Sequence, residues 1–356
     1  MEWLMRYHFQ VLLATASLLL LSLPLQAQTE IAKYGGEFMA TGFGSRGLAM
    51  GGAHVAAAND LTAAYWNPAG LMRTNYPEIG LMHEQRFGGM LSYNYGGVAW
   101  PFGEKYTLAL SVTRSGVDDI PDTRNALIDL DGNGQFDPND RLDPSKVTSF
   151  SAADWVAYLT YAYNANERLA LGVNMKLLRR DLLDENAMGV GFDIGAQYRA
   201  TDDLYLGATV QDVTTTLMAW STGRNELVSP TLRVGAAYAI HALGGTILPT
   251  MDLVMMAEGR EFASTVNLGP VSVDPRVGLE YRFKDIFSLR GGLSDIFFDD
   301  KHEKKQLLTF GAGIHLPKLY LDYAFGQNDL FSEFKDASHR ISLRLVLEEK
   351  HFSRTQ

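Results

Sequence analysis

The chain has 356 residues, with 31 basic and 41 acidic side chains and no cysteine. This length permits one large domain or two ordinary ones, and the lack of cysteine excludes disulfides, thiolate metal ligands and a thiol nucleophile. The acidic balance argues against nucleic-acid binding, which favours a basic face.

Residues 1–27 have the layout of a secretory signal peptide. A short amino-terminal region with Arg6 and His8 precedes an apolar stretch at 11–23, and cleavage is predicted before Gln28. A single membrane anchor is the alternative. The apolar stretch is shorter than the roughly 20 residues that a spanning helix needs, so we favour export.

The segment 28–75 is predicted to be enclosed by the rest of the chain, because it is rich in glycine and alanine. Small side chains let the backbone lie close to a surrounding wall, and a proline followed by a glycine ends a helix. The residues that characterise the segment are a glycine pair and a sharp ending: Gly51, Gly52, Asn67, Pro68, Ala69 and Gly70.

Three glycines of this segment, Gly42, Gly44 and Gly47, spell the G-x-G-x-x-G pattern of dinucleotide-binding folds. That pattern requires a buried strand before it and a helix within a β-α-β unit after it. Here a polar stretch precedes the glycines and no β-α alternation follows them. We therefore predict no nucleotide site.

The stretch GSRGLAMGGAHVAAANDLTAAYWNPAGL, at 44–71, resembles the amino-terminal signature of the PorV/PorQ family, outer-membrane proteins related to the FadL long-chain fatty-acid transporters. The resemblance implies that the segment folds as a hatch inside a β-barrel. It also implies one of two functions. PorV-like members act in type IX secretion and bind the carboxy-terminal domain of exported cargo, whereas FadL-like relatives carry hydrophobic molecules through the barrel wall. Because the sequence of the segment is closer to the PorV/PorQ signature, we favour the secretion role, and transport is the alternative.

Residues 76–347 alternate between apolar and small or polar side chains, as half-buried strands do. Charges on the inward face would be costly in a dry core, but in a barrel lumen they can reach water or each other. The predicted strands are 77–86, 90–101, 106–115, 151–164, 168–180, 188–199, 204–212, 228–240, 246–257, 272–283, 286–295, 305–316, 319–327 and 338–347. The predicted inward charges are Lys176, Asp193, Arg199, Arg233, Glu280, Arg290, Asp322 and Arg344.

The connections between these strands alternate between tight turns and longer loops, except that the first one, near Gly88 and Gly89, is short where a longer loop is expected. The longer loops are predicted at 116–150, 181–187, 213–227, 258–271, 296–304 and 328–337. Outer-membrane barrels combine short periplasmic turns with long outer loops, whereas a soluble β-sandwich has no reason for this asymmetry. We therefore predict an all-β fold: a transmembrane antiparallel β-barrel of about 14 strands in the outer membrane, with the segment 28–75 as a hatch in its lumen and a polar tail at 348–356.

The longest predicted loop carries a metal-binding pattern at 129–140. The spacing matches a calcium loop, in which oxygen ligands surround one cation and a glycine makes the sharp turn. The predicted ligands are Asp129, Asp131, Asn133, the backbone carbonyl of Gln135, Asp137 and Asp140. Because the last ligand is an aspartate, the segment resembles dockerin-type loops. We favour a structural Ca²⁺ over a merely solvated acidic loop.

No catalytic arrangement is visible in the sequence. The histidines form no H-E-x-x-H pair, and no G-x-S-x-G nucleophile elbow occurs. We predict no enzymatic activity, with an outer-membrane hydrolase as a minor alternative because fold does not determine function. The expected partners are outer-membrane lipid, type IX secretion components with cargo carboxy-terminal domains, or a hydrophobic ligand, and no nucleic acid.

Overall fold

The computed structural model describes residues 29–31, 39, 41–130, 132, 134, 137–138, 140–257, 264–294, 296, 307–327 and 337–348. The predicted signal peptide and most of the predicted tail lie outside these residues. No helix in this part of the chain is long and apolar enough to cross a membrane.

In the described part of the chain, fourteen strands form a closed antiparallel β-barrel. They are β1 (Glu78–Arg86), β2 (Leu91–Phe102), β3 (Tyr106–Asp122), β4 (Thr148–Asn164), β5 (Leu169–Leu182), β6 (Glu185–Arg199), β7 (Leu204–Gln211 and Thr216–Trp220), β8 (Asn225–Val228, Thr231–Tyr238 and Ile240–Ala242), β9 (Gly245–Met256), β10 (Ser272–Phe283), β11 (Phe287–Ser294), β12 (Leu307–His315), β13 (Leu319–Gln327) and β14 (Ser338–Val346). The barrel closes because β1 pairs with both β2 and β14. Closure removes the free sheet edges that lipid does not tolerate.

The strands form because their side chains alternate between two environments. In β5, Leu177 points outward and is 51% exposed, whereas the neighbouring Lys176 points into the lumen and is 3% exposed. The same alternation gives the other strands an apolar outer face, with residues such as Leu81, Leu110 and Leu159 exposed. Such a face suits the hydrocarbon of a bilayer.

The two ends of the barrel differ in their connections. One end has only short turns, such as 103–105 and 284–286, and we call it the short-turn end. The opposite end carries the longer connections, including 123–147 and 257–271, and we call it the long-loop end. In an outer-membrane barrel the short turns face the periplasm.

Two of the predicted long loops are wrong. Within 181–187, only residues 183 and 184 separate β5 from β6, and within 213–227 the chain is largely strand, with a turn at 221–224. The predicted strands end where the apolar face that would meet lipid ends in the sequence. Strands that continue past the bilayer do not need such a face, because backbone hydrogen bonds hold them.

The longest loop is also shorter than predicted. Strand β3 continues to Asp122 and β4 begins at Thr148, so the connection is 123–147 rather than 116–150. A small ladder at its base pairs Leu127 with Leu142 and Ile128 with Arg141.

Residues 41–74, which we call the lumen segment, lie inside the barrel. The segment contains two short helices, Ser45–Ala49 and Ala63–Trp66, and a 3₁₀ helix, Pro68–Arg73. It contacts opposite sides of the wall, since Ser45 bonds to Ser342 of β14 and Asn67 bonds to the carbonyl of Ala196 in β6. Nearer the amino terminus, Thr29–Ile31 pairs in parallel with the first residues of β8.

Candidate functional site

Wall glycines allow the backbone of the lumen segment to touch the barrel. A Cβ atom on Gly292 of β11 would lie 2.0 Å from the backbone nitrogen of Gly51, and one on Gly195 of β6 would lie 2.3 Å from the Asn67 Oδ1 atom. Any larger residue would push the segment away from the wall. Four further wall glycines meet atoms of the segment at comparable distances: Gly172, Gly207, Gly278 and Gly311.

The predicted Asn67-Pro68-Ala69-Gly70 ending forms a turn in which the Asn67 side chain makes three hydrogen bonds. The Asn67 Nδ2 atom donates to the Val55 carbonyl at 3.0 Å and to the Ala196 carbonyl at 2.9 Å, while its Oδ1 accepts from the Ala69 N–H at 3.2 Å. Pro68 then begins the 3₁₀ helix, and a Cβ on Gly70 would lie 2.4 Å from the Ala58 carbonyl oxygen. The turn therefore joins two parts of the lumen segment to β6.

The predicted Gly51-Gly52 pair requires glycine for its backbone conformation. Both residues have positive φ, 64° and 74°. The Gly51 N–H donates to the Thr309 hydroxyl of β12 at 2.9 Å. The glycines of the Gly42, Gly44 and Gly47 pattern lie against Tyr65, Trp66 and Thr62 of the same segment.

Ion pairs join the lumen segment to the wall near the short-turn end. Arg46 donates to both carboxylate oxygens of Glu280 in β10, at 2.8 and 3.1 Å. Glu280 also accepts from Arg290, which in turn donates to Asp322 at 2.6 Å. A buried charge is tolerated only when it is paired in this way.

Two further wall carboxylates hold backbone N–H groups of the lumen segment. Asp252 of β9 accepts from the N–H groups of His54 and Val55, at 2.7 and 2.9 Å. Glu78 of β1 accepts from the Leu61 N–H at 2.7 Å. The predicted inward charges are thus inside the lumen, except Arg199, which is exposed at the short-turn end.

The lumen becomes apolar on the other side of the segment. Val156, Leu178 and Met218 point inward from β4, β5 and β7 and are all at most 2% exposed. Register places them in one row, because Val156 pairs with Leu178 and both Leu178 and Met218 pair with Gly189. We call Val156, Leu178 and Met218 the apolar row.

The apolar row lies beyond the lumen segment, toward the long-loop end. Asn174 of β5 donates to the Ala64 carbonyl of the segment at 2.7 Å. Leu178 is four residues farther along the same strand, which is roughly 13 Å at the rise of a strand. Trp220 and Val228 add buried apolar surface at this end. An inward apolar surface is unusual for a barrel whose lumen holds water.

The wall is interrupted between the lumen segment and the apolar row. The β7–β8 ladder stops at the pair Gln211 and Thr231 and resumes at Thr216 and Val228, so residues 212–215 face only 229–230. Gln211 contacts the lumen segment through the Tyr65 carbonyl at 3.0 Å. The interruption therefore lies immediately beyond the segment, and we call it the ladder break.

A buried ion cluster holds the ladder break in shape. Lys176 of β5 reaches Asp193 of β6 at 2.7 Å and Asp212, the first residue of the break, at 2.5 Å. The Asp212 N–H donates to Asp193 at 2.9 Å, and the Thr216 hydroxyl donates to Asp212. Asp212 and Thr215 both have positive φ, which marks a bulge in the strand.

The predicted calcium loop is described in part. Asp131, Asn133 and Gln135 lie outside the described residues. Asp129 accepts from the N–H groups of Gly132 and Gly134 at 2.6 and 2.7 Å.

At the other end of the loop, Asp140 accepts from the N–H groups of Leu130 and Asp137 at 2.9 and 3.0 Å. Carboxylates thus accept from backbone N–H groups at both ends of the loop. Within the described residues alone, no group of three or more metal-ligating side chains is present.

Solved structures of other proteins share the barrel fold. The toluene transporter TbuX of Ralstonia pickettii matches with a TM-score of 0.56 at 14% identity, over 87% of this chain and 99% of that chain. The toluene transporter TodX of P. putida matches with a TM-score of 0.57 at 12% identity, over 86% and 99%. A FadL homologue of Pseudomonas aeruginosa matches with a TM-score of 0.52 at 11% identity, over 84% and 97%.

The chain has the FadL-like outer-membrane transporter fold. At such low identities the FadL-like fold is all that the similarity establishes. No protein family and no curated protein matches the chain. None of the three structures named here is a PorV or PorQ protein, so that finer assignment stays a prediction.

Proposed function

We propose that this protein resides in the outer membrane and carries hydrophobic molecules across it. The observation that carries the proposal is the apolar row, because inward apolar side chains, which here pack in one apolar cluster, would make favourable contacts with a hydrophobic molecule that displaced part of that packing. The FadL-like fold, which two toluene transporters share, supports the same function. We therefore prefer transport, the alternative interpretation of the sequence, over the secretion role.

The ladder break gives the proposed route an exit. The lumen segment blocks the way to the short-turn end, since its backbone touches wall glycines on several strands. At 212–215 the wall lacks ladder pairs with β8, and Val213 of the break faces outward. A molecule on the apolar row would leave sideways through this break, which accords with passage through the barrel wall in FadL-like relatives.

Uptake of radiolabelled toluene and oleate by Gram-negative cells that lack their own transporters tests the proposal. Cells with the full-length protein should take up at least one probe severalfold faster than cells with an empty vector. Met218→Gln, which places an amide in the apolar row, should reduce uptake strongly. Deleting residues 213 and 214 would leave Asp212 and Thr215 opposite residues 229 and 230 of β8. The ladder break would then close, so uptake should also stop.

The matched control is Met255→Gln, which makes the same change on the outward face of β9. Uptake in this variant should stay near that of the parent protein. Heat-dependent migration in gels shows whether each variant forms the barrel. A folded protein that gives no uptake of either probe, or equal uptake in Met218→Gln and the parent, contradicts the proposal.

Calcium and secretion are separate proposals that rest on the sequence. A structural Ca²⁺ in the 129–140 loop is supported by the carboxylates of Asp129 and Asp140, which both point toward the backbone of the loop. The type IX secretion role rests on the PorV/PorQ resemblance of 44–71. Co-purification of secretion components or cargo with the protein from its native membranes tests that role.

A further inference from the structure

A polar cavity of about 230 Å³ opens between the lumen segment and the wall at the short-turn end. Four arginines line it, together with the two carboxylates Glu78 and Glu348. Arg46 and Arg73 come from the lumen segment, whereas the other two come from the barrel wall. The cavity therefore has more guanidinium groups than carboxylates on its surface.

Three of the four arginines have carboxylate partners. Arg344 donates to Glu78 at 2.6 Å, and Glu280, which lies behind the cavity, accepts from both Arg46 and Arg282. Arg282 also lies 3.6 Å from Asp285 through its Nη1 atom, and its buried Nε has no hydrogen-bond partner in the described part of the chain. Glu348 is exposed at the mouth.

Arg73 has no such partner. Within the described residues its guanidinium forms no ion pair, and its contacts are the Ala56 carbonyl oxygen at 3.4 Å and the ring of Tyr205 at 4.0 Å. A guanidinium carries five N–H donors, so most of its hydrogen-bonding capacity is free to point into the cavity.

The surroundings of Arg73 are cationic as well. The charged side chains that act on it most strongly include Arg46, Arg282 and Arg199. Burial and these neighbours lower the pKa of Arg73, only partly opposed by the Tyr205 phenol. A cation among cations is stabilised by an anion that enters the same space.

We propose that this cavity is a binding site for an oxyanion, a carboxylate or phosphate group, with Arg73 as its principal ligand and Arg282 as a second donor. Two planar guanidinium forks suit the paired oxygens of such groups. The polar wall, with Asn59 and Thr74 beside the arginines, suits a small hydrophilic group rather than an apolar tail.

Calorimetric titration of the full-length protein in detergent tests the site, with inorganic phosphate and acetate as probes at constant ionic strength. At least one probe should bind saturably to the parent protein. Arg73→Gln should weaken that binding by about tenfold or more, since a hydrogen bond to a charged group contributes about 1.5–3 kcal/mol. Arg73→Lys should retain part of the affinity, and Arg282→Gln should also lower it.

Arg168→Gln is the matched control, because Arg168 is exposed in a turn at the same end of the barrel and does not line the cavity. Its affinity for the probe should equal that of the parent protein. Preference for phosphate or for acetate would distinguish a phosphate-bearing ligand from the carboxylate of a transported acid. Failure of both probes to bind, or equal affinity in the parent, Arg73→Gln and Arg282→Gln, would overturn the proposal. Binding is measured without uptake, so the site and the transport function can fail separately.

Discussion

Arg46 and Glu280 form a bidentate ion pair inside the barrel, with Nε and Nη2 of Arg46 at 2.8 and 3.1 Å from the two carboxylate oxygens. Arg46 belongs to the lumen segment and Glu280 to β10, so the pair fastens the segment to the wall. Glu280 also accepts from Arg290 at 2.7 Å and from Arg282 at 3.1 Å. One buried carboxylate is therefore shared by three cations.

This sharing predicts that the two partners are not equivalent. Glu280→Gln removes the carboxylate that Arg46, Arg282 and Arg290 share, although Arg290 keeps Asp322, and it should lower the free energy of unfolding by about 3–5 kcal/mol. Arg46→Gln leaves Glu280 with two other cations, so a smaller loss of about 1–3 kcal/mol is expected. Denaturant unfolding in lipid vesicles, followed by tryptophan fluorescence, measures both. Asp285→Asn, at an exposed turn, should change stability by less than about 0.5 kcal/mol. Equal losses in Glu280→Gln and Arg46→Gln would refute the sharing.

Two adjacent glycines of β11 give a direct test of the contact between wall and lumen segment. A Cβ on Gly292 would lie 2.0 Å from the Gly51 nitrogen, whereas the nearest atom to a Cβ on Gly291 is 3.9 Å away. Gly292→Ala should displace the segment, at a cost of about 1–3 kcal/mol or more. Gly291→Ala should be nearly neutral.

The same pair of variants has a functional readout. Influx of a small hydrophilic dye into vesicles should rise in Gly292→Ala, because a displaced segment no longer fills the lumen, and should stay at the parent level in Gly291→Ala. If both variants match the parent in stability and influx, the segment does not seal the barrel.

The contribution of Asn67 to stability is predicted to come from the hydrogen bonds of its amide group rather than from its size. Its Nδ2 donates to two carbonyls, so Asn67→Asp replaces a donor with an acceptor that faces both of them. The loss should be about 3 kcal/mol or more, because two buried acceptors lose their partner next to a new negative charge. Asn67→Ala should cost less, about 1–3 kcal/mol. Chemical denaturation ranks the variants, and a smaller loss for the aspartate would count against the contact.

The loop at 129–140 is expected to bind Ca²⁺ weakly, with a Kd on the order of 10⁻⁴ to 10⁻³ M, as extracellular calcium modules do. Asp129→Asn should weaken binding about tenfold or more, because it removes a charged ligand from the first position of the loop. Asp143→Asn is the control, since Asp143 follows the loop and bonds to Ser145 instead. Calcium titration after chelator treatment measures both. No calcium binding by the parent protein would disprove the site.

The alternation along β5 was sufficient to predict which side chains face lipid and which face the lumen, because a strand has only two faces and lipid accepts only one kind of side chain. The alternation, taken together with the tight turns and longer loops between the strands, predicted about fourteen strands and a barrel rather than a β-sandwich. The composition of 44–71 likewise indicated a segment that lies close against other backbone. These are local properties, and each can be recognised within a few residues.

Only the tertiary structure decided which distant residues meet. Arg46 and Glu280 are 234 positions apart, and no feature of either stretch indicates that they pair. The ladder break and the apolar row depend on the register of neighbouring strands. Alternation shows which face of the sheet a side chain lies on, but it does not show which residue of the next strand it pairs with. The cavity around Arg73 exists only because the lumen segment and the last strands converge. Contacts of this kind follow from barrel closure, which brings together residues that are remote in the chain.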